Sequence, residues 1–468
     1  MKLLTKIFDV KSFIKKEKIV AELPSNKEVY KRSFDIAWPA VVEMTLLSLM
    51  ILVDMVMVSG LGVNAVSAVG ITNQPRQIII ATIFALNIAI TVLISRRKGA
   101  GDKEGANRYL RSAIVLSVAI SFFSSILGFI FAIEIVSFVG ATYDYVDYAT
   151  IYFQIIMIGN IFNCLALTIT AAQRGVGDTK VSMRVNMTGN TMKLIFNFLL
   201  IYGILFFPMM GIRGAAIATL IGNLTSCIMA LHSIRQKDQF LFASLKERWL
   251  PHLETIKQIY MLGRAVFAEQ LFIRSGMLMY DMQIASLGTL EFATHQIILK
   301  ILSITFSLGE GFSISASSLV GQSLGAKRPD LAIVYSAAIQ RIGIVSSIIF
   351  AFVFIVFRVQ LLSLISMGNV DIIATGKNVM FIIAVIVLIQ QTQIITIGSL
   401  RGAGDLKFVA ALMFVCIALF RPVLAFVLIH VLGVGLAGAW LAVLIDQIIR
   451  TVASQYRFSS YKWLNAKV

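Results

Sequence analysis

The sequence is short of charge. Asp, Glu, Lys and Arg supply 14% of its residues against 58% hydrophobic ones, and mean hydropathy is +0.86. So few charges cannot cover the water-facing surface of a soluble chain of 468 residues, which leaves a polytopic membrane protein. Cysteine is scarce too. Cys164, Cys227 and Cys416 all fall inside apolar runs, which argues against a disulfide framework and says nothing about compartment. No second His or Cys stands at metal-ligand spacing, and no grouping of His, Ser and Asp forms a catalytic constellation, so neither a metal site nor an enzyme is expected. The first apolar run sits behind a charged segment with no small-residue cleavage site after it, so no cleavable signal peptide is expected.

What charge there is has a pattern. The net charge of +17 comes from Lys and Arg clustered in alternate loops, the positive-inside arrangement, and not from a basic stripe interleaved with aromatics, so nucleic acid is not an expected partner. Twelve apolar spans of membrane length lie near 34–59, 74–95, 112–133, 148–171, 186–207, 211–233, 258–286, 294–322, 333–357, 372–399, 408–430 and 434–455. Basic clusters follow spans 2 (Arg96, Arg97, Lys98), 4 (Arg174, Lys180, Arg184), 6 (Arg235, Lys237, Lys246, Arg248), 8 (Lys327, Arg328, Arg341), 10 (Arg401, Lys407) and 12 (Arg450, Arg457, Lys462, Lys467). The loop after span 3 is acidic, with Glu134, Asp144 and Asp147. Both termini are therefore expected in the cytoplasm, with the lipid bilayer of a prokaryotic inner membrane as the environment. Residues 1–33 hold nine Lys and Arg with Leu3, Leu4, Ile7, Phe8, Phe13 and Ile14 between them. They read either as a helix lying on anionic lipid or as a solvated tail.

The chain is duplicated. Arg174-Gly175-Val176-Gly177-Asp178-Thr179-Lys180 returns as Arg401-Gly402-Ala403-Gly404-Asp405-Leu406-Lys407, and Ile94–Ala100 as Val320–Ala326. Gly211-Ile212-Arg213-Gly214-Ala215 returns as Gly435-Leu436-Ala437-Gly438-Ala439, Glu43 as Glu269, and the Gly60-Leu61-Gly62 corner as Ser286-Leu287-Gly288. Six spans per half is an even number, so both halves insert the same way up. The expected fold is all-α, two six-helix bundles related by a pseudo-twofold axis along the membrane normal. Its divisions are 1–33 as a basic cytoplasmic segment, 34–233 as the first bundle, 234–257 as a linker, 258–455 as the second bundle and 456–468 as a cytoplasmic tail.

The first span carries the most chemistry. Pro39 lacks the N–H that would bond the carbonyl of Asp35, so the helix is expected to bend near its start. Glu43 and Asp54 lie deeper, where an unpaired carboxylate in lipid costs at least ~2.5 kcal/mol, so both are expected to face a wet cavity. Asp54 stands about twenty residues in, ~30 Å along the axis. A carboxylate in a semi-dry cavity exchanges a proton or binds a cation; the alternative is a structural acid hydrogen-bonded to neighbouring helices. The second half has Arg274, Asp281, Lys300, Glu310, Arg421 and Asp446 within its spans. Each reads as a structural partner, and together they suggest a polar cavity. Arg421 precedes Pro422, where a broken helix frees carbonyls for a polar partner. Gln390, Gln391, Thr392 and Gln393 in span 10 read as cavity lining or as glue between helices.

At these residues the sequence resembles the multidrug and toxic compound extrusion (MATE) transporters, including their DinF-like bacterial branch. The likeness is carried by Pro39…Glu43…Val53-Asp54…Gly60-Leu61-Gly62, the paired R-G-x-G-D-x-K loops, His295-Gln296-Ile297, Gly321-Gln322-Ser323-Leu324-Gly325-Ala326 and the paired G-x-x-G-A corners, from about residue 34 to 455. The resemblance implies a cation-coupled antiporter for small organic compounds, mostly cations, that needs H+ or Na+ as coupling ion and no other cofactor. It assigns coupling to the position of Asp54, and places Glu43 and Glu269 just inside the cytoplasmic ends of helices 1 and 7, for structure or gating by pairing with basic loop residues. Well-studied members carry an aspartate where this chain has Asn197 and an asparagine where it has Lys193. One turn apart, the two share a face. Lys193 reads either as a stand-in for a bound sodium ion, paired with Asp54, or as a lysine snorkelling to an interface; the first favours protons over sodium. Asn190 completes this coupling set. The glutamines of span 10 replace a coupling carboxylate found in some members, which argues against sodium binding in the second half. His295 is expected to pack and not to ligate metal.

The expected activity is export of drug-like organic cations or zwitterions by alternating access, driven by protons more readily than sodium, in a monomer whose single chain holds a whole central cleft. The other reading kept open is export or flipping of an anionic or lipid-linked metabolite, with Arg274, Asp281, Lys300, Gln391 and Arg421 lining the cavity of the second half.

Overall fold

The computed structural model describes residues 9, 14, 16–204, 207–236, 239–244, 249–250 and 252–466. Several residues weighed above lie outside these: Lys2, Leu3, Leu4, Lys6, Ile7, Phe8, Lys11, Phe13, Lys15, Lys237, Lys246, Arg248 and Lys467. Among the described residues there is helix and no strand. In chain order the α-helices are α1 (Asn26–Ser59), α2 (Val63–Gly99), α3 (Lys103–Ile130), the short α4 (Ala132–Phe138), α5 (Val146–Gly175), α6 (Thr179–Tyr202), α7 (Gly211–Ser233) and α8 (Leu253–Ala285). Then come α9 (Thr289–Gly325), α10 (Pro329–Val356), the short α11 (Arg358–Ile365), α12 (Val370–Gly402), α13 (Leu406–Met413), α14 (Arg421–Phe426) and α15 (Gly435–Ser459). Two π-helical stretches, Phe414–Phe420 and Val427–Val431, follow α13 and α14 and keep that rod continuous. Ten of the helical rods among the described residues are long and apolar enough to cross a membrane. α6 and α8 are as long but carry Lys193, Asn197, Glu269, Arg274 and Asp281.

The corners between α1 and α2 and between α8 and α9 are built alike. Gly62 and Gly288 precede their helices at φ of +95° and +131°, a region open to glycine and strained for other residues, which is why both copies of the corner keep this glycine.

The chain folds as two compact units, Val42–Gly263 and Met1–Val41 with Arg264–Val468. This differs from the division at 34 and 258 read from the sequence. Residues 34–41 belong with the second half because Ala37 packs in one apolar cluster with Phe312, Ala316, Leu319 and Ile339, with Val41 against it. Gly311 comes so close to the backbone of Val41 that a Cβ would sit 2.7 Å from its nitrogen. At the other crossing, Leu253–Gly263 belong with the first half, where Tyr109 of α3 hydrogen-bonds Gln258. Both α1 and α8 therefore pass from one unit to the other without a break. Pro39 lies well inside α1, which begins at Asn26, and not near its start as expected.

The described part of residues 1–33 is docked on protein, not free. Ile14 is buried in a cluster with Phe458 and Trp463. Arg328 donates to the carbonyls of Ala21 and Glu22 at 3.2 and 3.1 Å, and Arg341 to Tyr30 Oη and the Asp9 carbonyl. Arg341, Arg401 and Arg450, counted above with the loops, are buried within helices, each held by polar partners.

The first unit centres on Phe153, Ile156 and Met157 of α5, packed with Ala65 and Ala68 of α2, Ile201 of α6 and Ala215 and Ala216 of α7. Small residues bring α6 and α7 together: a Cβ on Gly222 would fall 2.7 Å from both the Gly189 carbonyl oxygen and Lys193 Cβ. Lipid is as apolar as leucine, so close backbone packing of this kind holds membrane helices where hydrophobic burial cannot.

Candidate functional site

Asp54 stands on α1 and faces α6. Its Oδ2 is ion-paired with the Lys193 ammonium, and its Oδ1 accepts from Asn197 Nδ2 at 2.9 Å. Lys193 and Asn197 are one turn apart, so both reach the same carboxylate. The lysine stem lies over Gly222, where any larger side chain would contest its path. Lys193 and Asp54 remain about a fifth exposed, at 23% and 22%, while Asn197 is buried. Asn197 Oδ1 is buried without a hydrogen-bond partner, a costly condition for a polar atom. Asn190 takes no part in the cradle: its Nδ2 donates to the Asn186 carbonyl at 2.8 Å. Arg76 on α2 was passed over in the sequence because it sits at the edge of a span. It lies within electrostatic reach of buried Tyr152, as Asp54 does.

The two glutamates each find the first arginine of their own half's R-G-x-G-D-x-K loop. Glu43 Oε1 accepts from Arg174 at 3.1 Å, Ser182 Oγ at 3.1 Å and Asn186 Nδ2 at 2.6 Å. Glu269 Oε1 pairs with Arg401. Both carboxylates are fully buried, and the Oε2 of each lacks a partner.

The second half gathers its charges differently. Asp446 of α15 is shared by two buried arginines, Arg421 on α14 and Arg450 one turn further along α15. Arg450 Nε meets Oδ1 at 3.1 Å. The Arg421 guanidinium lies 5.9 Å from the centre of the Tyr280 ring. Asp281 faces His295 Nε2 at 3.4 Å, and His295 is packed between Tyr280 and Trp440, at ring separations of 5.6 and 5.1 Å. Gln391 is buried and donates to the Thr305 carbonyl at 2.7 Å, so it ties α12 to α9 instead of lining a cavity. Arg421 is likewise committed to Asp446, while Arg274 and Lys300 are partly exposed. Of the residues proposed from the sequence as one cavity, Arg421 therefore belongs to a buried triad, Asp281 to a His–Asp contact and Gln391 to an interhelical clasp. Among the described residues no three His, Cys, Asp or Glu side chains gather as a metal site.

A family model described as MatE matches residues 39–199 and 265–427. The uncharacterized transporter YisQ of Bacillus subtilis (strain 168) is 26% identical over 435 residues, 92% of this chain and 94% of that one. The probable multidrug resistance protein NorM of Thermotoga maritima is 25% identical over 455 residues, 97% and 96% of the two chains. Among solved structures, the outward-facing conformation of a multidrug resistance MATE family transporter of the MOP superfamily superposes at TM-score 0.87 and 20% identity, covering 93% of this chain and 97% of that one. A MOP superfamily transporter from Pyrococcus furiosus, for which reverse polarity of the binding pocket suggests a different function, superposes at TM-score 0.85 and 21% identity over the same shares. These superpositions establish the fold.

Proposed function

The chain belongs to the MatE family of multidrug efflux transporters, integral multi-pass membrane proteins and not enzymes, and on that premise we propose that it is a proton-coupled antiporter exporting small organic compounds. It works by alternating access in a monomer of twelve spans in two bundles, with both termini in the cytoplasm of a prokaryote and the spans in its inner membrane. The observation that carries the reading is the Asp54 cradle, where a fixed ammonium occupies one carboxylate oxygen and an amide the other. A lysine in that place leaves no charge deficit for a sodium ion to fill, whereas a proton is small enough to displace it.

Proton entry at Asp54 forms an O–H bond and cancels the charge that holds Lys193. The freed ammonium then repels a cationic group bound nearby, and the Asn197 carbonyl, already without a donor, loses its ordering partner. Substrate release on one face is thereby tied to proton uptake on the same face. Each proton moving inward gains ~2.3 kcal/mol per 100 mV of membrane potential, which drives a neutral or zwitterionic substrate fully, whereas one-for-one exchange with a monovalent cation leaves only the pH difference. The family resemblance points to a cationic or zwitterionic substrate, the zwitterion drawing on both driving terms and the cation on the pH difference alone.

The test uses everted vesicles holding a pH gradient reported by a quenched dye. Organic cations and zwitterions are expected to restore fluorescence with wild type and to lose that effect with Asp54→Asn, while sodium alone does nothing. Substrate export that persists without a pH gradient and requires a sodium gradient would refute proton coupling. A second reading, export of an anionic or lipid-linked metabolite, is favoured by the excess positive charge of Arg421 and Arg450 over Asp446 and by the pocket polarity ascribed to the Pyrococcus furiosus transporter. It predicts that anions and not cations discharge the gradient.

A further inference from the structure

Arg76 carries a charge at membrane depth that the chain itself does not answer. Val63 opens α2 and Arg76 follows thirteen residues later, ~20 Å along the axis from the corner at Gly62. Among the described residues no carboxylate pairs with it, whereas Glu43 is paired with Arg174 and Asp54 with Lys193. The cluster beside it is apolar. Tyr152 and Ile156 of α5 and Val58 of α1 pack there against Ile71 and Ile79, which flank Arg76 on α2. Asp54 stands one turn before Val58 and is already held by Lys193. An arginine in such a place is costly unless water or an anion reaches it.

The surface next to it is wet. Gly70, Asn73, Gln74 and Gln77 are exposed at spacings of three and four, so they form one face of α2. Exposed amides at this depth belong to water and not to hydrocarbon, where each would lose its hydrogen bonds. Arg76 is partly buried, at the border between this face and the apolar cluster. The second half shows that packing does not ask for the charge. The matched corners at Gly62 and Gly288 set Leu302 at the position of Arg76 and Leu299 at that of Asn73, and Leu302 is a buried member of the core there. What the first half has in exchange is a guanidinium, a planar fork of donors that meets a carboxylate in two parallel hydrogen bonds.

We propose that Arg76 is a specificity-determining residue of this transporter: it binds a carboxylate of the exported compound, with the amides of Asn73 and Gln74 hydrogen-bonding the polar groups around it. The substrate class narrows from organic cations in general to zwitterions, with a carboxylate for Arg76 and a cationic group toward Asp54. Measured from the corner that joins α1 and α2, Arg76 lies ~12 Å deeper than Asp54 by helical rise. The two charges of the substrate therefore stand on the order of 10 Å apart. The cationic end rests on the antiport reading of Asp54; the carboxylate contact does not.

Equilibrium binding to the whole protein in lipid nanodiscs, read by fluorescence polarisation against empty nanodiscs, tests this with two dyes. One is a rhodamine with a free carboxylate, a zwitterion at neutral pH; the other is the ethyl ester of the same dye, a cation. Wild type is expected to bind the free acid about tenfold more tightly than the ester. Arg76→Gln should bring the two affinities together by weakening the free acid alone. Arg76→Lys, kept as a second variant should the glutamine one misfold, retains the charge without the fork and should show a smaller preference in the same direction. An unchanged preference in folded Arg76→Gln overturns the proposal, as does wild type that binds the ester at least as well as the free acid, or binds neither dye. An Arg76-dependent preference with no discharge of the pH gradient by either dye would refute the antiport reading alone. Discharge by the ester with no preference at Arg76 would refute the carboxylate contact alone.

Discussion

The two halves descend from one pattern and solve the same polar problem in opposite ways. The matched corners at Gly62 and Gly288 align Asp54 with Tyr280. The π-helical stretch Phe414–Phe420 inserts a residue and brings Arg421 to the place of Lys193. The matched corners at Gly211 and Gly435 align Gly222 with Asp446 and Ser226 with Arg450. In the first half the acid is on α1, and Gly222 clears the way for Lys193 to reach it. In the second, tyrosine has replaced that acid, and the counter-charge has moved to α15, where Asp446 holds Arg421 and recruits Arg450. One arrangement leaves a partly exposed carboxylate with a single cation. The other seals a carboxylate between two. The second is locked, since removing charge from it strands an arginine in the membrane.

The largest expected effect follows from that lock. Asp446→Leu leaves two buried guanidiniums without a carboxylate and should cost about 3–5 kcal/mol of stability, read as a large fall in folded yield and thermal midpoint in detergent. Asp54→Leu strands one partly exposed ammonium that can rotate toward water, so it should cost less than half as much while abolishing coupling. Equal losses in the two variants would erase the distinction drawn between a switch and a lock.

How far the sequence exposed this depends on the span of each contact. Asp54, Lys193 and Asn197 were legible as a group chiefly through the family resemblance, which drew attention to these positions; that residues one turn apart share a face made a pairing of Lys193 with Asp54 one of two readings. The arginine partners of Glu43 and Glu269 were legible only as basic loop residues in general, since a motif repeat shows that two loops match and not where their side chains reach. Asp446 and Arg450 are four apart on one helix, the spacing of an ion pair. That signal was present and was overridden by assigning Arg450 to the tail. The passage of α1 and α8 between units was invisible, because an apolar helix reads the same on either side of Val41 or Gly263 whichever bundle it packs against. Gln391 stayed open for a related reason: buried amides serve cavities and helix contacts alike, and the sequence does not show that its Nε2 donates to the Thr305 carbonyl.

A smaller effect should distinguish the two glutamates. Glu43 holds three donors, while Glu269 holds Arg401 with Glu310 in reserve. Glu43→Gln removes the only carboxylate paired with Arg174 among the described residues and should cost about 1.5–3 kcal/mol, the range for hydrogen bonds to charged groups. Glu269→Gln leaves Arg401 a counter-charge and should cost clearly less by the same thermal measurement. The reverse order would mean that Glu310 does not compensate Arg401.

The smallest difference lies outside the membrane, at the start of the third helix of each half. Asp102 caps α3 by accepting from the Gly105 N–H at 2.8 Å and pairs with Arg97. Arg328 occupies the matching position, offers no side-chain cap, and turns to Asp330 and the N-terminal carbonyls. Asp102→Ala should therefore cost about 1 kcal/mol at neutral pH, part of it screened by salt because the pair is exposed. The Gly105 N–H, and after it Arg97, hold the Asp102 carboxyl below the usual carboxylate range. A depressed folded value means that the ionised cap stabilises above the unfolded value of about 3.9, and that this contribution fades as pH falls through the folded value. The gap between wild type and Asp102→Ala should thus be flat from neutral pH to about 5 and should close in stronger acid. Arg328→Ala, whose guanidinium stays charged throughout, should show a gap that follows only its partner Asp330. A gap for Asp102→Ala that widened on acidification would mean that the carboxyl caps α3 in its neutral form, and the two helix starts would then differ in geometry but not in charge.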